Sequence, residues 1–179
     1  MLLKTWRNLL LAKAHTSILV ALLTIFSLGL AATAKIPTGN FSNKQAEPLL
    51  DRLQGDAVRG RQAEARQYVS AINKAEQAYY TENGRFSSNW SQLGVGIRTE
   101  TANYTYRISN LSARSVRVTA AAKDNRLKSY TGAVVIVGAG NDLTSQSVIC
   151  ESNTATRTPP AMPRLVRNNI QCAASSTKL

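Results

Sequence analysis

Apolar positions recur at helical spacing from residue 46 onward, where Leu49, Leu50, Leu53 and Ala57 lie three and four residues apart. Gly55 and Gly60 bracket Asp56 to Arg59. Glycine is a poor helix former, so a break or flexible joint is expected there. A stronger helix is expected over about 61–81, with an apolar stripe of Tyr68, Ile72, Ala75 and Tyr79 and with Val69 beside it. The Tyr68–Ile72–Tyr79 face is then the contact between helix and sheet. Gly84, within Glu82-Asn83-Gly84-Arg85, stands where a helix C-terminal stop belongs. Residues 86–97 carry four large apolar side chains, Phe86, Trp90, Leu93 and Ile97. A solvated loop has no use for such anchors, so this one is expected to fold back onto the helix or sheet.

Beyond residue 100 the period shortens to two. Strands are expected at 104–109, 115–121, 130–137 and 146–151, separated by Asn, Ser, Gly and Asp turn residues. The alternation is visible where Val116 and Val118 flank Arg117. The simplest arrangement is an α+β domain, an antiparallel meander with the long helix laid on one face. The tail from Ser152, with Pro159, Pro160 and Pro163, reads as irregular.

The amino end is of another kind. Residues 16–34 (TSILVALLTIFSLGLAATA) contain no charge and as a helix would span roughly 28 Å, close to a bilayer hydrocarbon core. Lys4, Arg7 and Lys13 precede this segment, a bias that holds that end in the cytoplasm and sends the remainder outward. Ala32-Thr33-Ala34 also fits the small-x-small pattern of a signal-peptidase site. Two fates therefore stand open. A retained segment anchors an extracytoplasmic domain in the inner membrane, and cleavage near Ala34 releases a secreted or periplasmic one. The chain divides into a basic n-region at 1–15, the apolar segment at 16–34, a linker and helix extension at 35–60, and a globular domain at 61–179.

At 179 residues the chain holds one domain of ordinary size. Its net charge is +12, from 22 Lys and Arg against 10 Asp and Glu. A surplus of this size favours anionic surfaces without choosing among them. Between residues 98 and 128 lie Arg98, Arg107, Arg114, Arg117, Lys123, Arg126 and Lys128, against Glu100 and Asp124 only. Tyr104 and Tyr106 are interspersed among them, with Tyr130 nearby. Cations with stacking rings on a sheet suit single-stranded nucleic acid or acidic polysaccharide, so an exported polyanion-binding module is the alternative reading. The plainer account is an outer sheet face backed by core tyrosines.

Cys150 and Cys172 are the two cysteines, both in the exported part. An even count in an oxidising compartment reads as a disulfide, which here ties the tail to the last strand. Neither a two-residue cysteine spacing nor an exported histidine is present to build a zinc site. The one histidine, His15, precedes the apolar segment, which leaves the exported part without a Ser-His-Asp or Cys-His system. Gly94-Val95-Gly96 lacks the further glycine of a dinucleotide loop. Glu64, Glu76 and Glu82 lie on a charged helix beside Arg66, Lys74 and Arg85, where surface pairing is expected. No catalytic residue, metal, cofactor or small-molecule substrate is expected, and the protein reads as a non-enzyme.

The run Ala63-Glu64-Ala65-Arg66-Gln67-Tyr68-Val69-Ser70-Ala71-Ile72-Asn73-Lys74-Ala75-Glu76-Gln77-Ala78-Tyr79-Tyr80, followed by Glu82-Asn83-Gly84-Arg85-Phe86, resembles the type IV pilin-like proteins of cyanobacteria, the pilin and pseudopilin G/H class. The likeness continues through Leu93 to Ile97, Tyr104-Thr105-Tyr106, Leu127 to Gly132 and Ile149-Cys150-Glu151, and ends at Cys172. It implies a long amino-terminal helix across an antiparallel sheet, with a disulfide-closed carboxyl-terminal loop. It also implies a non-catalytic subunit or minor component of surface filaments or secretion pseudopili, partnered by other pilin-like subunits or their machinery. Adhesion, motility or DNA uptake would be its setting. The amino end departs from the family pattern: it carries no Gly-Phe-Thr-Leu-x-Glu processing site, and residues 1–34 hold no glutamate.

Overall fold

The structure, a computed structural model, describes residues 43–140 and 142–179. Helix α1 (Asn43–Asn83) is 41 residues long and runs without a break through Gly55 and Gly60. The joint expected between them is therefore absent. Each glycine costs only about 1 kcal/mol relative to alanine, and the helix is held by tertiary packing along its carboxyl-terminal half. Asp56 and Arg59 also pair across one turn between the two glycines.

That packed half buries Ala65, Val69, Ile72, Asn73 and Glu76. The buried stripe thus centres on Val69 and Ile72, while Tyr68 and Tyr79 lie half-buried along its borders. The reason is close approach. A Cβ added at Gly132, on the sheet beneath, would stand 2.5 Å from Val69 Cγ1 and 2.7 Å from Asn73 Oδ1. Gly132→Ala is expected to cost roughly 1–3 kcal/mol by overpacking, read as a lower urea midpoint with an unchanged slope. An unaltered midpoint would show that helix and sheet yield there freely.

The helix stops as expected. Gly84 takes φ 65° and its N–H bonds Tyr80 O at 2.8 Å. The following loop contains a short helix, α2 (Trp90–Leu93), started by the Asn89 side chain, which accepts from Ser91 N at 2.9 Å, and ended by left-handed Gly94. Four residues are too few for a periodic signal, so α2 is invisible in the sequence. The anchors do fold back: Phe86 and Leu93 are buried, and Trp90 and Ile97 pack half-buried against the main core.

Seven strands follow: β1 (Tyr104–Ser112), β2 (Ser115–Ala122), β3 (Tyr130–Val137), β4 (Thr144–Ser152), β5 (Arg164–Val166), β6 (Asn169–Gln171) and β7 (Ser176–Lys178). The first four form the antiparallel meander, and β7 adds to the free side of β4, giving the order β1-β2-β3-β4-β7. β2 alternates half-buried and buried residues along its length. Its Val116, Val118 and Ala120 join Tyr104, Tyr106 and Tyr130 in the core beneath α1.

The tail is more ordered than its prolines suggest. β5 and β6 form a hairpin turned at Arg167 and Asn168, both with positive φ, the geometry a two-residue hairpin loop requires. Ile170, Met162 and Cys172 pack on Ala133, Val148 and Cys150, on the sheet face away from α1. β3 is thereby covered on both sides, which accounts for its apolar run from Ala133 to Val137.

Candidate functional site

The disulfide joins Cys150 on β4 to Cys172, with Cα atoms 5.7 Å apart. Further ties hold the closed tail to the sheet: Thr131 Oγ1 donates to Pro160 O at 2.7 Å, and Ser129 Oγ to Thr156 O at 2.6 Å. A hollow of about 650 Å³ lies between residues 161–166 and 171–174. Among the described residues Arg164 is the one ionisable side chain lining it, so they present no acid–base pair there.

On the other face the structure corrects the reading of Glu76. This carboxylate does not pair at the surface; it is fully buried against the sheet side of α1. Its Oε2 accepts the Ser87 N–H at 3.0 Å, and its Oε1 has no partner among the described residues. Burial pushes its pKa up to about 7, against the opposing effect of the Ser87 bond. Glu76 lies four residues after Ile72 and seven after Val69, on the core face by helical geometry. Its polar identity masked that placement. Glu64 accepts from Asn103 Nδ2 at 3.3 Å, and Glu82 is exposed.

Glu151, half-buried on β4, gathers three donors: Lys128 Nζ at 2.7 Å, Tyr130 OH at 3.0 Å and Arg66 Nη1 at 3.5 Å. Burial would raise its pKa. The Lys128 and Tyr130 hydrogen bonds and the charges of Lys128 and Arg66 outweigh that and hold it below the ordinary range. The cluster ties α1 to β3, β4 and the connection that precedes β3.

The seven cations of 98–128 do not form one surface. Lys123 pairs with Glu100, Arg126 with Asp124 at 2.6 Å, and Lys128 with Glu151. Arg114 Nη2 donates to Gly138 O at 2.7 Å. Arg98 is exposed, and Arg107 and Arg117 lie on the sheet face away from α1. Tyr104, Tyr106 and Tyr130 are in the core, with Tyr104–Tyr106 and Tyr104–Tyr130 ring centroids 6.2 and 6.1 Å apart. They offer no stacking surface. Ile72 is fully buried, the Tyr68 ring lies 5.2 Å from that of Tyr106, and Tyr79 OH bonds Gln92 Oε1 at 3.3 Å.

The amino-terminal half of α1 contrasts with all this. Leu49, Leu50 and Leu53 are 57, 58 and 57% exposed. Among the described residues no helix is long and apolar enough to cross a membrane, and no group of His, Cys, Asp and Glu is placed to hold a metal. The apolar segment 16–34, the 1–15 region, His15 and the Ala34 cleavage position lie outside the described residues.

A long helix on an antiparallel meander, with a carboxyl-terminal loop closed by a disulfide, defines a pilin-type domain. The profile of the family described as type IV pilin-like G and H matches residues 62–173, and the chain belongs to that family. Neither the curated proteins nor the solved structures contain a match to the chain. Membership assigns a structural role related to pili or secretion, and an extracellular or membrane-associated setting.

Proposed function

We propose that this chain works without catalysis, as a structural or accessory subunit of a surface pilus or secretion pseudopilus. It joins other pilin-like subunits through the amino-terminal half of α1, in the service of adhesion, motility or DNA uptake. The supporting observation is the row of Leu49, Leu50 and Leu53 on one helix, each more than half exposed and none in the domain core. Contiguous apolar side chains held open on a rigid element are a mark of an interaction surface. If segment 16–34 is retained, it holds the subunit in the membrane before assembly.

The test uses the full chain in the cells that produce it, comparing sheared surface filaments, membranes and medium. The wild-type chain is expected in filaments or cross-linked to pilus or secretion components. L49Q/L50Q/L53Q is expected to lose that association while its domain melts as the wild type does, because these side chains leave the core untouched. A wild-type chain absent from filaments and from every cross-linked complex would overturn the reading, as would a triple variant that assembles normally. Sequencing the mature amino terminus in the same fractions distinguishes an anchored subunit from one released at Lys35.

A further inference from the structure

On the sheet face away from α1, the tail packs over β3 and β4. β1 and β2 remain at least partly open there. Their register places Thr105 opposite Ala121, Arg107 opposite Thr119, and Ser109 opposite Arg117. Arg107 and Arg117 are therefore diagonal neighbours on one face, a spacing of about 7–8 Å between backbones that long side chains bridge easily. Two guanidinium groups so placed repel each other, and among the described residues neither is paired with a carboxylate, whereas Lys123, Arg126 and Lys128 all are. Arg117 Nε is also shielded from water with no hydrogen-bond partner among the described residues. A shielded, unsatisfied donor is costly, and an oxyanion held between the two guanidinium groups relieves their repulsion through the outer Nη donors.

The surroundings narrow the class of anion. Thr105, Ser109 and Thr119 set hydroxyl groups around the two arginines. The nearby tyrosines are buried on the opposite face, so no ring among β1 and β2 is available for base stacking. A sheet face with two neighbouring guanidinium forks and flanking hydroxyls suits a carboxylated or sulfated sugar chain. The forks hold the acid group bidentately and the hydroxyls bond those of the sugar. We propose that the open face of β1 and β2 binds an acidic polysaccharide, with Arg107 and Arg117 as the anion-holding pair and Thr105, Ser109 and Thr119 meeting sugar hydroxyls. This site is independent of the assembly surface on α1.

The experiment measures binding of the full chain, in detergent, to fluorescently labelled polygalacturonate over a range of salt. Neutral dextran and single-stranded oligothymidylate serve as comparison probes. R107Q and R117Q are each expected to weaken polygalacturonate binding about tenfold, the worth of one charge-assisted hydrogen bond. R117K keeps the charge and loses the fork, and is expected to weaken it several-fold; it stands in should R117Q fail to fold. The double variant K123Q/R126Q removes the same charge from paired positions and is expected to change affinity by less than about twofold. Dextran is expected not to bind. The proposal is overturned by a wild-type chain that fails to bind, by equal losses in K123Q/R126Q and R107Q/R117Q, or by dextran binding as well as polygalacturonate. Oligothymidylate binding more tightly, with the same dependence on Arg107 and Arg117, would overturn it in favour of a nucleic-acid surface.

Discussion

Glu76→Gln is expected to flatten the pH dependence of stability between about pH 4.5 and 7 and to stabilise the domain above that range by about 3 kcal/mol. Burial raises the native carboxyl to about 7 from an ordinary 4.5. Within that window the native protein retains a proton that the unfolded chain has released, so stability falls as pH rises. The slope approaches about 1.4 kcal/mol per pH unit. Glutamine keeps an oxygen for the Ser87 N–H and never ionises. Glu100, Asp124 and Glu151 have lowered pKa values and act in the opposite sense, adding stability as pH rises through their own lower range. They are common to both proteins and cancel in the difference. Urea midpoints of wild type and variant from pH 4 to 8 check this. A variant with the wild-type slope would place the responsible proton elsewhere.

Removal of the disulfide is the second large effect. C150S/C172S is expected to lose about 3 kcal/mol, a drop of roughly 10 °C in Tm for a domain of this size. The loss has a location. The β5–β6 hairpin has one buried side chain, Ile170, and β7 pairs with β4 over three residues. Residues 153–179 therefore depend on the crosslink more than the meander does. Amide exchange should quicken in β5, β6 and β7 before it quickens in β2 and β3. Equal protection in the two proteins, or ready thiol labelling of both cysteines in unreduced wild type, would contradict this.

Much of the domain was legible residue by residue. Alternation in β2 and the turn residues between strands marked the meander. Gly84 marked the helix end, and two cysteines in a segment expected to be exported marked the crosslink. The short elements were not legible: α2 has four residues, and β5, β6 and β7 three each. These are too few for periodicity, and the tail with its prolines read as irregular although their neighbours pack. The glycines in α1 misled in the other direction, since a local penalty near 1 kcal/mol yields to packing summed along a helix.

The candidate surfaces divide the same way. Seven cations and three tyrosines were countable in the sequence, but which of them share a face was not. Register puts Arg107 and Arg117 on one face and the tyrosines on the other, while carboxylates brought from distant parts of the chain neutralise Lys123 and Lys128. By itself the sequence determined the order of the long helix and the four meander strands and pointed to the crosslink, because these follow from local periodicity and residue type. The family came from the resemblance of residues 63–172 to pilin-like proteins. Only the tertiary structure decided that Glu76 is buried, that Gly132 is a contact point and that Leu49, Leu50 and Leu53 stay open. Burial is a property of what packs opposite, and no residue's own neighbours in the chain record it.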